Sequence, residues 1–551
     1  MRSKRLLALL LAGVMVVSVL AGCGGNNEPE QESDSSATEE TVSVNDNSSV
    51  ETTGIIATEV NVANSDPVSL MPLRSTGNGK NVLNEIYECL VDRDGFAGEI
   101  YGVIAKDWKW DGNDFVVNIY DYVYDHAGNH ITADDVVYSF VTSWEAGYSQ
   151  NQLYINCDSI EATDEYTVVF HFLPEKVDTL GNWRDMFTAQ AIFSQKAWED
   201  STDEMASNAV GTGPYIVKEF MAGSYCTLVR NENYWQTDES LIGPQHRANV
   251  ETITYKFITE SQQLVNALKT GEIDYTNNIV VEALGEFEAS DDWATNPELE
   301  LRIFSAWPNC LEGTPFSDIN LRAAFFYALD VDQIIDAMGG TKYAQKIRNF
   351  GASQVPEYNP EWDTLDNYYN KDGADLEKAK EYLEKSSYNG EVIQLWYETG
   401  TYKPQLEAVT LVAGAALESL GINYEINTKE SGLSDMLKET SSDWDIIFMD
   451  TGCNGSLFDY IKNDFNTTFY EGGAGNYFDE TLDQLYLDTY CTSGATPENI
   501  DKFWGYISDN FYNYGLFQRI TYEVYRKDLI SDTRVKTFRT WTIPGSFEYA
   551  E

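Results

Sequence analysis

The clearest alternation of apolar and polar positions lies in the C-terminal third of the chain. Short apolar runs alternate there with segments whose apolar residues recur every three or four positions, which predicts strands alternating with helices. The predicted strands are 392–397, 422–426 and 446–449, and the predicted helices are 404–420 and 433–439. This order predicts a parallel sheet with helices on its faces, and open sheets of this kind bind ligands at the carboxyl ends of their strands.

The chain between Gly54 and this region shows the same mixture of elements. Alternating runs predict strands at 58–63, 115–124, 167–172 and 254–258, and apolar faces predict helices at 82–90, after Thr132 and before Gly271. Thr132 and Asp135 have the spacing of a capping box, in which the two side chains bond to each other's backbone N–H groups. Gly271 is typical of the residue that ends a helix. These patterns predict the α/β class.

Two loops contain residues typical of a phosphate-binding or metal-binding site, but their sequences predict turns. Gly211 and Gly213 lie in GTGP, which lacks the helix and lysine of a phosphate-binding loop, so we expect a turn in which glycine allows positive φ. His126 and His130 lie in DHAGNH, where Gly128 predicts a turn instead of the shared helix face that two metal-binding histidines need. Neither loop predicts a cofactor or metal site.

The N-terminal segment has the pattern of an export signal. The apolar run from Leu6 to Leu20 follows three basic residues and is too short to span a membrane, which indicates a signal peptide. It ends in Leu-Ala-Gly-Cys23, which resembles the lipobox of bacterial lipoproteins. The resemblance implies that Cys23 becomes a diacylglycerol-bearing N-terminus at the outer face of the cytoplasmic membrane. A signal peptide cut elsewhere, with Cys23 incidental, is the alternative.

The segment that follows Cys23 is predicted to be a tether. Residues 24–53 contain eight acidic residues, no Lys or Arg and almost no large apolar residues. Such a segment cannot bury a core, and its charges repel one another. We therefore expect an extended, disordered link between the membrane and the folded body.

Composition limits the partners of the folded body. The 551 residues include 36 basic and 89 acidic side chains, for a net charge of −53. Nucleic acid is excluded as a partner because phosphate binding needs a basic surface. Binding of the folded body to an anionic membrane surface is excluded for the same reason, so the predicted lipid on Cys23 is the expected membrane contact. The length after the tether predicts two to four domains.

Neither the spacing of the cysteines nor any catalytic motif in the sequence indicates a cofactor. The cysteines after the signal peptide are scattered without a CxxC pair, and their disulfide pairing cannot be derived from the sequence. They are Cys89, Cys157, Cys226, Cys310, Cys453 and Cys491. No Walker, GxSxG or HExxH sequence occurs either.

Four blocks, taken together, resemble one known family. They are NEIYECLVDRDG at 84–95 with the run to 140, VGTGPYIVKEF with VRNENYW between 210 and 235, ALKTGEIDY at 267–275, and TPFSDINLRAAFFYALDVDQII at 314–335. The chain resembles the family 5 extracytoplasmic solute-binding proteins, which are receptors of ABC importers for oligopeptides, dipeptides and nickel. The resemblance implies a two-lobed type II periplasmic-binding-protein fold of the α/β class with an additional N-terminal subdomain.

The resemblance also implies a division of the chain. Lobe I is expected to comprise 54–97, 209–299 and 513–551, the subdomain 98–208, and lobe II 300–512. The signal peptide occupies 1–23 and the tether 24–53. In the family the ligand lies between the lobes, so its contacts are expected in the loop after the first strand, before the TPF block, and after the strand at 446–449. The predicted ligand-binding residues are Ser75, Asn78, Trp307, Asn309, Asp450 and Asn454, together with Trp396 and Tyr397 at the end of a predicted strand.

One departure from the family concerns the nature of the ligand. Peptide receptors of the family carry a run written WxADYxxP, whose Asp pairs with the α-ammonium group of the peptide. Spacing places Asn454 at that position, and an amide cannot supply the charge-assisted pair. Asp450 or Asp459 is a substitute, and a neutral ligand such as an oligosaccharide is an alternative.

The resemblance implies a lipid-anchored receptor that captures an oligopeptide or similar small polar solute and passes it to ABC permease and ATPase subunits. ATP hydrolysis is expected in those partner subunits, and no cofactor, metal or catalytic residue is predicted in this chain. Three alternatives stay open: an oligosaccharide receptor of the same family, a sensory lipoprotein that binds a pheromone-like ligand, and a secreted hydrolase with a carboxylate pair.

Overall fold

The structure is a computed structural model that describes residues 56–73, 79–95, 99–148, 151–349, 351–400, 403–452, 456–465, 474–534 and 542–550. From Gly54 to Glu551 the chain forms one compact unit. The predicted signal peptide and tether lie outside the described residues, and so do the predicted site residues Cys23, Ser75, Asn78 and Asn454.

The secondary structure of the described residues is mixed. The strands are β1 (Ala57–Asn64), β2 (Val91–Arg93), β3 (Ile100–Gly102), β4 (Ala105–Asp111), β5 (Asp114–Ile119), β6 (Cys157–Asp164), β7 (Thr167–Phe172), β8 (Tyr215–Met221), β9 (Tyr225–Arg230), β10 (Val250–Phe257), β11 (Tyr275–Thr276), β12 (Trp293–Pro308), β13 (Ala344–Lys346), β14 (Ile393–Glu398), β15 (Tyr424–Lys429), β16 (Ile446–Gly452), β17 (Tyr514–Arg526), β18 (Ile530–Asp532) and β19 (Glu548–Tyr549). The helices are α1 (Lys80–Ile86), α2 (Ala133–Glu145), α3 (Leu153–Asn156), α4 (Asn182–Ala189), α5 (Gln195–Asp200), α6 (Ser261–Thr270), α7 (Leu284–Glu288), α8 (Ile319–Ala328), α9 (Val331–Ala337), α10 (Leu376–Lys385), α11 (Lys403–Ser419), α12 (Leu433–Lys438), α13 (Leu457–Asp464), α14 (Glu480–Thr489) and α15 (Pro497–Asp509).

An eleven-stranded sheet runs through both lobes. Its order is β15-β14-β16-β12-β17-β11-β1-β10-β9-β8, and β13 also pairs with β17. The long antiparallel pair β12 and β17 connects the two halves, since β16 of lobe II pairs with the C-terminal part of β12 and β11 of lobe I pairs with the C-terminal part of β17. We call this pair the ribbon.

The predicted strand–helix repeat of the C-terminal third is confirmed. It consists of β14, α11, β15, α12 and β16, and β14 pairs in parallel with both β15 and β16. Gly421, beyond the end of α11, has φ of +73°, the left-handed conformation that glycine adopts without a Cβ clash. β16 is longer than predicted and extends to Gly452, because its last residues pair with β12.

Several predicted boundaries in the N-terminal half are also confirmed. The Thr132 capping box at the start of α2 is present, with the Thr132 N–H donating to Asp135 at 2.8 Å. Gly271 ends α6 in the left-handed conformation. The predicted strand 115–124 was too long, since β5 ends at Ile119. The following residues enter the turn in which Asp125 accepts hydrogen bonds from the backbone N–H groups of 127 and 129.

The prediction that Gly211 and Gly213 provide positive φ in a turn was wrong. Neither residue has a positive φ. They pack against the end of α1, where a Cβ on Gly211 would lie 2.0 Å from the Ile86 carbonyl oxygen and one on Gly213 would lie 2.7 Å from it. The Gly213 N–H donates to the same Ile86 oxygen at 2.9 Å. Helix α1 therefore ends at Ile86, earlier than predicted, because its last carbonyl bonds to this loop.

Three clusters of buried side chains form the main cores of the described residues. The largest lies in lobe II, from Leu301 to Phe517 along the chain. A second, in lobe I, joins β1, α1 and β8 to β10 with the C-terminal segment around Phe547. The third lies in the subdomain, where α2 and α4 cover the four-stranded sheet β4-β5-β7-β6. Since Leu90 and Trp235 belong to this third cluster and Phe517 to the first, the exact lobe boundaries remain predictions.

Three ionisable side chains, those of Glu85, Glu88 and His246, are buried in lobe I, and His246 packs edge-on against Tyr101 of the subdomain. Glu85 accepts the N–H of Gly545 at 2.8 Å, while its second oxygen finds no partner in the described part of the chain. His246 lies between two carboxylates, with Nε2 3.2 Å from Asp92 and Nδ1 3.5 Å from Glu88. Each of the three side chains is less than a tenth exposed.

All three groups bind protons more tightly in the folded protein. Burial raises the pKa of Glu85 from 4.5 to about 8 and raises the pKa of Glu88. At His246 burial acts to lower the pKa, but the hydrogen bond with Asp92 and the charge of Glu88 outweigh it, so the pKa is raised. For Glu85 the resulting stabilisation is complete below about pH 4.5 and is lost as the pH rises to about 8.

We expect the Glu85→Gln variant to flatten this pH dependence. The wild-type free energy of unfolding should fall between about pH 4.5 and 8, because the folded state binds the Glu85 proton more tightly than the unfolded chain. The amide stays neutral, so the unfolding free energy of the variant should fall less over this pH range. The difference from the wild-type fall should be roughly 2–4 kcal/mol. Urea denaturation at a series of pH values measures this. Glu251→Gln, on the exposed side of β10, is the matched control, and identical profiles for both variants contradict the assignment.

We expect Gly211→Ala to destabilise lobe I by about 2–4 kcal/mol, because the new Cβ meets the rigid carbonyl of Ile86. The matched control is Gly285→Ala in α7, where a Cβ meets nothing within 4 Å and should leave stability unchanged or raise it by up to about 1 kcal/mol. Thermal and urea unfolding give both values. Equal stability of the two variants would show that the close packing at Gly211 is not required.

Candidate ligand-binding cleft

The strand directions make the two lobes face each other across the middle of the ribbon. In lobe II, the end of β16 at Gly452 lies opposite Arg302, near the middle of β12. In lobe I, the end of β11 at Thr276 lies opposite Val524, which itself pairs with Thr295 of β12. The parallel strands of both lobes therefore direct their carboxyl ends toward the same gap, and carboxyl ends are where open α/β sheets bind ligands.

The facing strand ends of the two lobes are separated by a stretch of the ribbon. Thr295 and Arg302 are seven residues apart along β12, which corresponds to roughly 20 Å of extended strand. The ribbon is irregular at this point, because Leu299 pairs with Ile520 whereas Ile303 already pairs with Gln518. A bulge of this kind bends a strand and weakens its ladder, so the ribbon is best able to flex between the lobes.

Polar side chains hold the bulge in place. Gln518 donates to the carbonyl of Glu300 at 2.7 Å and to Gln354 at 3.0 Å, and Gln354 donates to the carbonyl of Leu299 at 3.0 Å. Arg519 forms a two-point ion pair with the carboxylate of Glu300. The backbone groups that the bulge releases from the strand ladder are thus satisfied by side chains.

The lobe I wall of the gap consists mainly of amides and hydroxyls. Asn64, at the end of β1, accepts a hydrogen bond from Asn81 at 3.2 Å. Asn277, just after β11, donates to Thr542 at 3.1 Å. Tyr275 is buried and donates to Glu523; burial first and the Glu523 charge second raise the pKa of this phenol. The hydrogen-bonding groups of this wall are therefore mainly neutral, and the buried Glu523 carboxylate bonds to Tyr275.

The lobe II wall carries a charged pair. Asp450, near the end of β16, accepts a hydrogen bond from Arg302, and the Arg302 side chain is 44% exposed. Beyond it, Glu357 accepts from the Ser456 hydroxyl at 3.0 Å and from the Leu457 N–H at 3.2 Å, and so caps the start of α13. These contacts involve residues before and after 453–455, which lie outside the described part of the chain.

Trp307 and Asn309 are buried inside lobe II. The Trp307 side chain is fully buried in the lobe II core. Asn309 donates to the carbonyls of Ser441 and Trp444 at 2.8 and 2.9 Å and accepts from Asn476 at 2.9 Å. Their contact with a ligand stays a prediction.

Trp396 and Tyr397 lie on β14, next to β16. Trp396 and Trp307 both pair with Ile447 from opposite sides, so all three side chains share one face of the sheet. Trp396 is half-buried and its Nε1 finds no acceptor among the described residues, whereas Tyr397 is buried and burial raises its pKa. Trp396 pairs with Ile447, five strand positions before Gly452, and so lies deeper in lobe II than the gap. The contact of Trp396 and Tyr397 with a ligand remains a prediction.

Sequence reasoning missed several residues that border the gap. The polar run Thr276, Asn277 and Asn278 directly after a short strand was a signal that could have been used, since it follows the ALKTGEIDY block. Gln354 and Gln518 gave no signal, because their contact joins positions 164 residues apart.

No helix in the described part of the chain is both long and apolar enough to cross a membrane. The described residues also contain no group of three or more His, Cys, Asp or Glu side chains placed to hold a metal ion.

The sequence is similar to known binding proteins. The model of "bacterial extracellular solute-binding proteins, family 5 middle" matches residues 99–476. The chain is 24% identical over 370 residues to the probable D,D-dipeptide-binding periplasmic protein DdpA of Escherichia coli, covering 65% of this chain and 67% of that protein. It is 22% identical over 356 residues to the oligopeptide-binding protein AppA of Bacillus subtilis, covering 59% and 60%. The chain thus matches about two thirds or less of the length of these relatives.

The fold is similar to that of solved binding proteins. The structure of the ABC transporter substrate-binding protein CtaP from Listeria monocytogenes matches with a TM-score of 0.72 at 19% identity, over 90% of this chain and all of that chain. The two-lobed α/β fold predicted from the sequence is confirmed by this likeness. Since the matched family model covers more than half of the sequence, the chain belongs to family 5 of the bacterial extracellular solute-binding proteins.

Proposed function

We propose that this protein is a lipid-anchored receptor on the outer face of the cytoplasmic membrane that captures oligopeptides or similar small polar solutes for an ABC importer. The observation that carries the proposal is that the carboxyl ends of both sets of parallel strands face one gap across a bulged ribbon. A solute in that gap contacts both lobes only when they approach, so binding favours closure. Permease and ATPase subunits then take up the solute, and the receptor performs no covalent chemistry.

The relatives support a peptide as the solute. Their names describe D,D-dipeptide and oligopeptide binding. A neutral wall of amides and hydroxyls suits the backbone of a peptide, whose N–H and C=O groups need partners once water is displaced. The Arg302 and Asp450 pair offers one cationic and one anionic group at the edge of the gap, which suits the two charged ends of a peptide.

A neutral solute such as an oligosaccharide is the second candidate. The observation that favours it is that Asp450 already bonds to Arg302. An α-ammonium group of a peptide would therefore have to share the Asp450 carboxylate with Arg302. Amide and hydroxyl groups such as Asn64 and Asn277 bind sugar hydroxyls equally well.

Native mass spectrometry of the full chain purified from its host distinguishes the candidates. We expect a bound mass that fragments into amino-acid residues, because a closed cleft retains its solute through purification. Protein unfolded in guanidinium and refolded is the control and should lack this mass. Hexose-spaced fragments would replace the peptide by an oligosaccharide. An absent mass, together with no thermal stabilisation by a casein hydrolysate, contradicts the receptor proposal.

We expect Asp450→Ala to lower the fraction of protein that retains solute, with an affinity loss of about tenfold, or roughly 1.4 kcal/mol. The variant removes the anionic group at the cleft edge and frees the Arg302 side chain. Asp528→Ala is the matched control, because Asp528 also pairs with an arginine, Arg526, but lies beyond β17 at the lobe I end of the ribbon. Equal retention by the two variants would remove Asp450 from the site without affecting the fold.

A further inference from the structure

The subdomain and lobe II touch directly at a place that is separate from the ribbon. The Asp178 carboxylate accepts hydrogen bonds from the Ser493 N–H at 3.2 Å and from the Ser493 hydroxyl at 2.8 Å. The Thr492 N–H donates to the Asp178 carbonyl at 2.8 Å. Next to them, Thr179 and Cys491 form an antiparallel β-bridge. Residues 178–179 thus dock on the loop between α14 and α15.

Packing and charge add to this contact. Leu180 of the subdomain packs against the lobe II core. The ammonium group of Lys462 lies 3.6 Å from the carboxylate of Asp185 and donates to Gln152 at 3.5 Å. Asp185 and Gln152 belong to the subdomain, whereas Lys462 belongs to α13 of lobe II.

The second contact is coupled to the cleft through α13. This helix begins at Leu457, directly after Ser456, and it follows strand β16, whose end at Gly452 borders the gap. A side chain that holds Lys462 therefore also restrains the helix that borders the cleft. Gln152, one of the two partners of Lys462, has φ of +50°, which is uncommon for a residue other than glycine.

Contacts of this kind exist only while the subdomain and lobe II are together. They are polar, and Asp178, Thr492 and Ser493 are exposed, so each contributes little and breaks easily in water. Several of them in one place shift the balance between open and closed forms without preventing opening.

We propose that residues 178–185 of the subdomain, residues 491–493 and Lys462 form a latch, which holds the cleft closed and slows release of the solute. The subdomain is then a third closing surface in addition to the two lobes. The effect on solute release rests on the function proposed above, whereas the contact itself does not.

Disulfide trapping tests the contact without any solute. Residues opposite each other in an antiparallel bridge have Cα atoms about 4.5–5.5 Å apart, which is within the range that a disulfide spans. In the Thr179→Cys variant of the full chain, mild oxidation should therefore link the new cysteine to Cys491 in most molecules. Peptide mapping by mass spectrometry identifies the linked pair.

The control for trapping is Thr163→Cys, an exposed position in the β6–β7 hairpin of the same subdomain. It should not link to Cys491. The rates of disulfide formation are compared in protein as purified and in protein refolded from guanidinium. If the Thr179→Cys variant links to Cys491 no faster than the control in both preparations, the latch is refuted.

Solute release tests the consequence. We expect the Asp178→Ala variant to lose its co-purified solute during dialysis about 3–10 times faster than wild type, as followed by native mass spectrometry. Glu175→Ala is the matched control, because Glu175 is an exposed acid three residues away and should not change the rate. The oxidised Thr179→Cys variant should retain its solute longest, and dithiothreitol should reverse this.

The two tests separate the two proposals. Unchanged release in Asp178→Ala and in the oxidised Thr179→Cys variant overturns the role of the latch even if trapping succeeds. If wild-type protein carries no solute and none can be loaded, the receptor proposal fails, while the trapping result still decides whether the contact forms.

Discussion

The structure depends on the ribbon of β12 and β17, because this antiparallel pair belongs to both lobes. Backbone hydrogen bonds tie β16 to one end of it and β11 to the other, so the strand directions of each lobe are set relative to the ribbon. Antiparallel pairing at both ends turns the carboxyl ends of β16 and β11 toward the same central gap. The cleft is thus a consequence of strand direction, and the bulge at 299–303 lies at the place where bending of the ribbon moves one lobe against the other.

The electrostatics near the cleft differ from those of the chain as a whole. The protein carries a net charge of −53, yet the carboxylates of Glu300, Asp450 and Asp274 along the ribbon each pair with an arginine. Pairing reduces the negative potential that these three acids would otherwise create near the gap.

The subdomain is attached to the rest of the molecule in two different ways. Its contact with lobe I is buried: His246 packs against Tyr101, the Glu88 carbonyl accepts the Ile192 N–H at 2.9 Å, and Trp235 belongs to the subdomain core. Its contact with lobe II consists of exposed and half-buried polar groups and one apolar side chain. A dry interface costs more to open than a wet one. The subdomain is therefore expected to move with lobe I and to separate from lobe II.

Local features of the sequence determined the secondary structure, the parallel order of the C-terminal strands, the capping box at Thr132 and the membership of the family, because each depends on residues close together in the chain. Only the tertiary structure decided why Gly211 and Gly213 are glycines and that Trp307 lies in a core. It also decided that Gln354 meets Gln518 at the bulge. The physical reason is that packing and cleft formation join residues one hundred or more positions apart, and the periodicity of a sequence carries no information about such contacts.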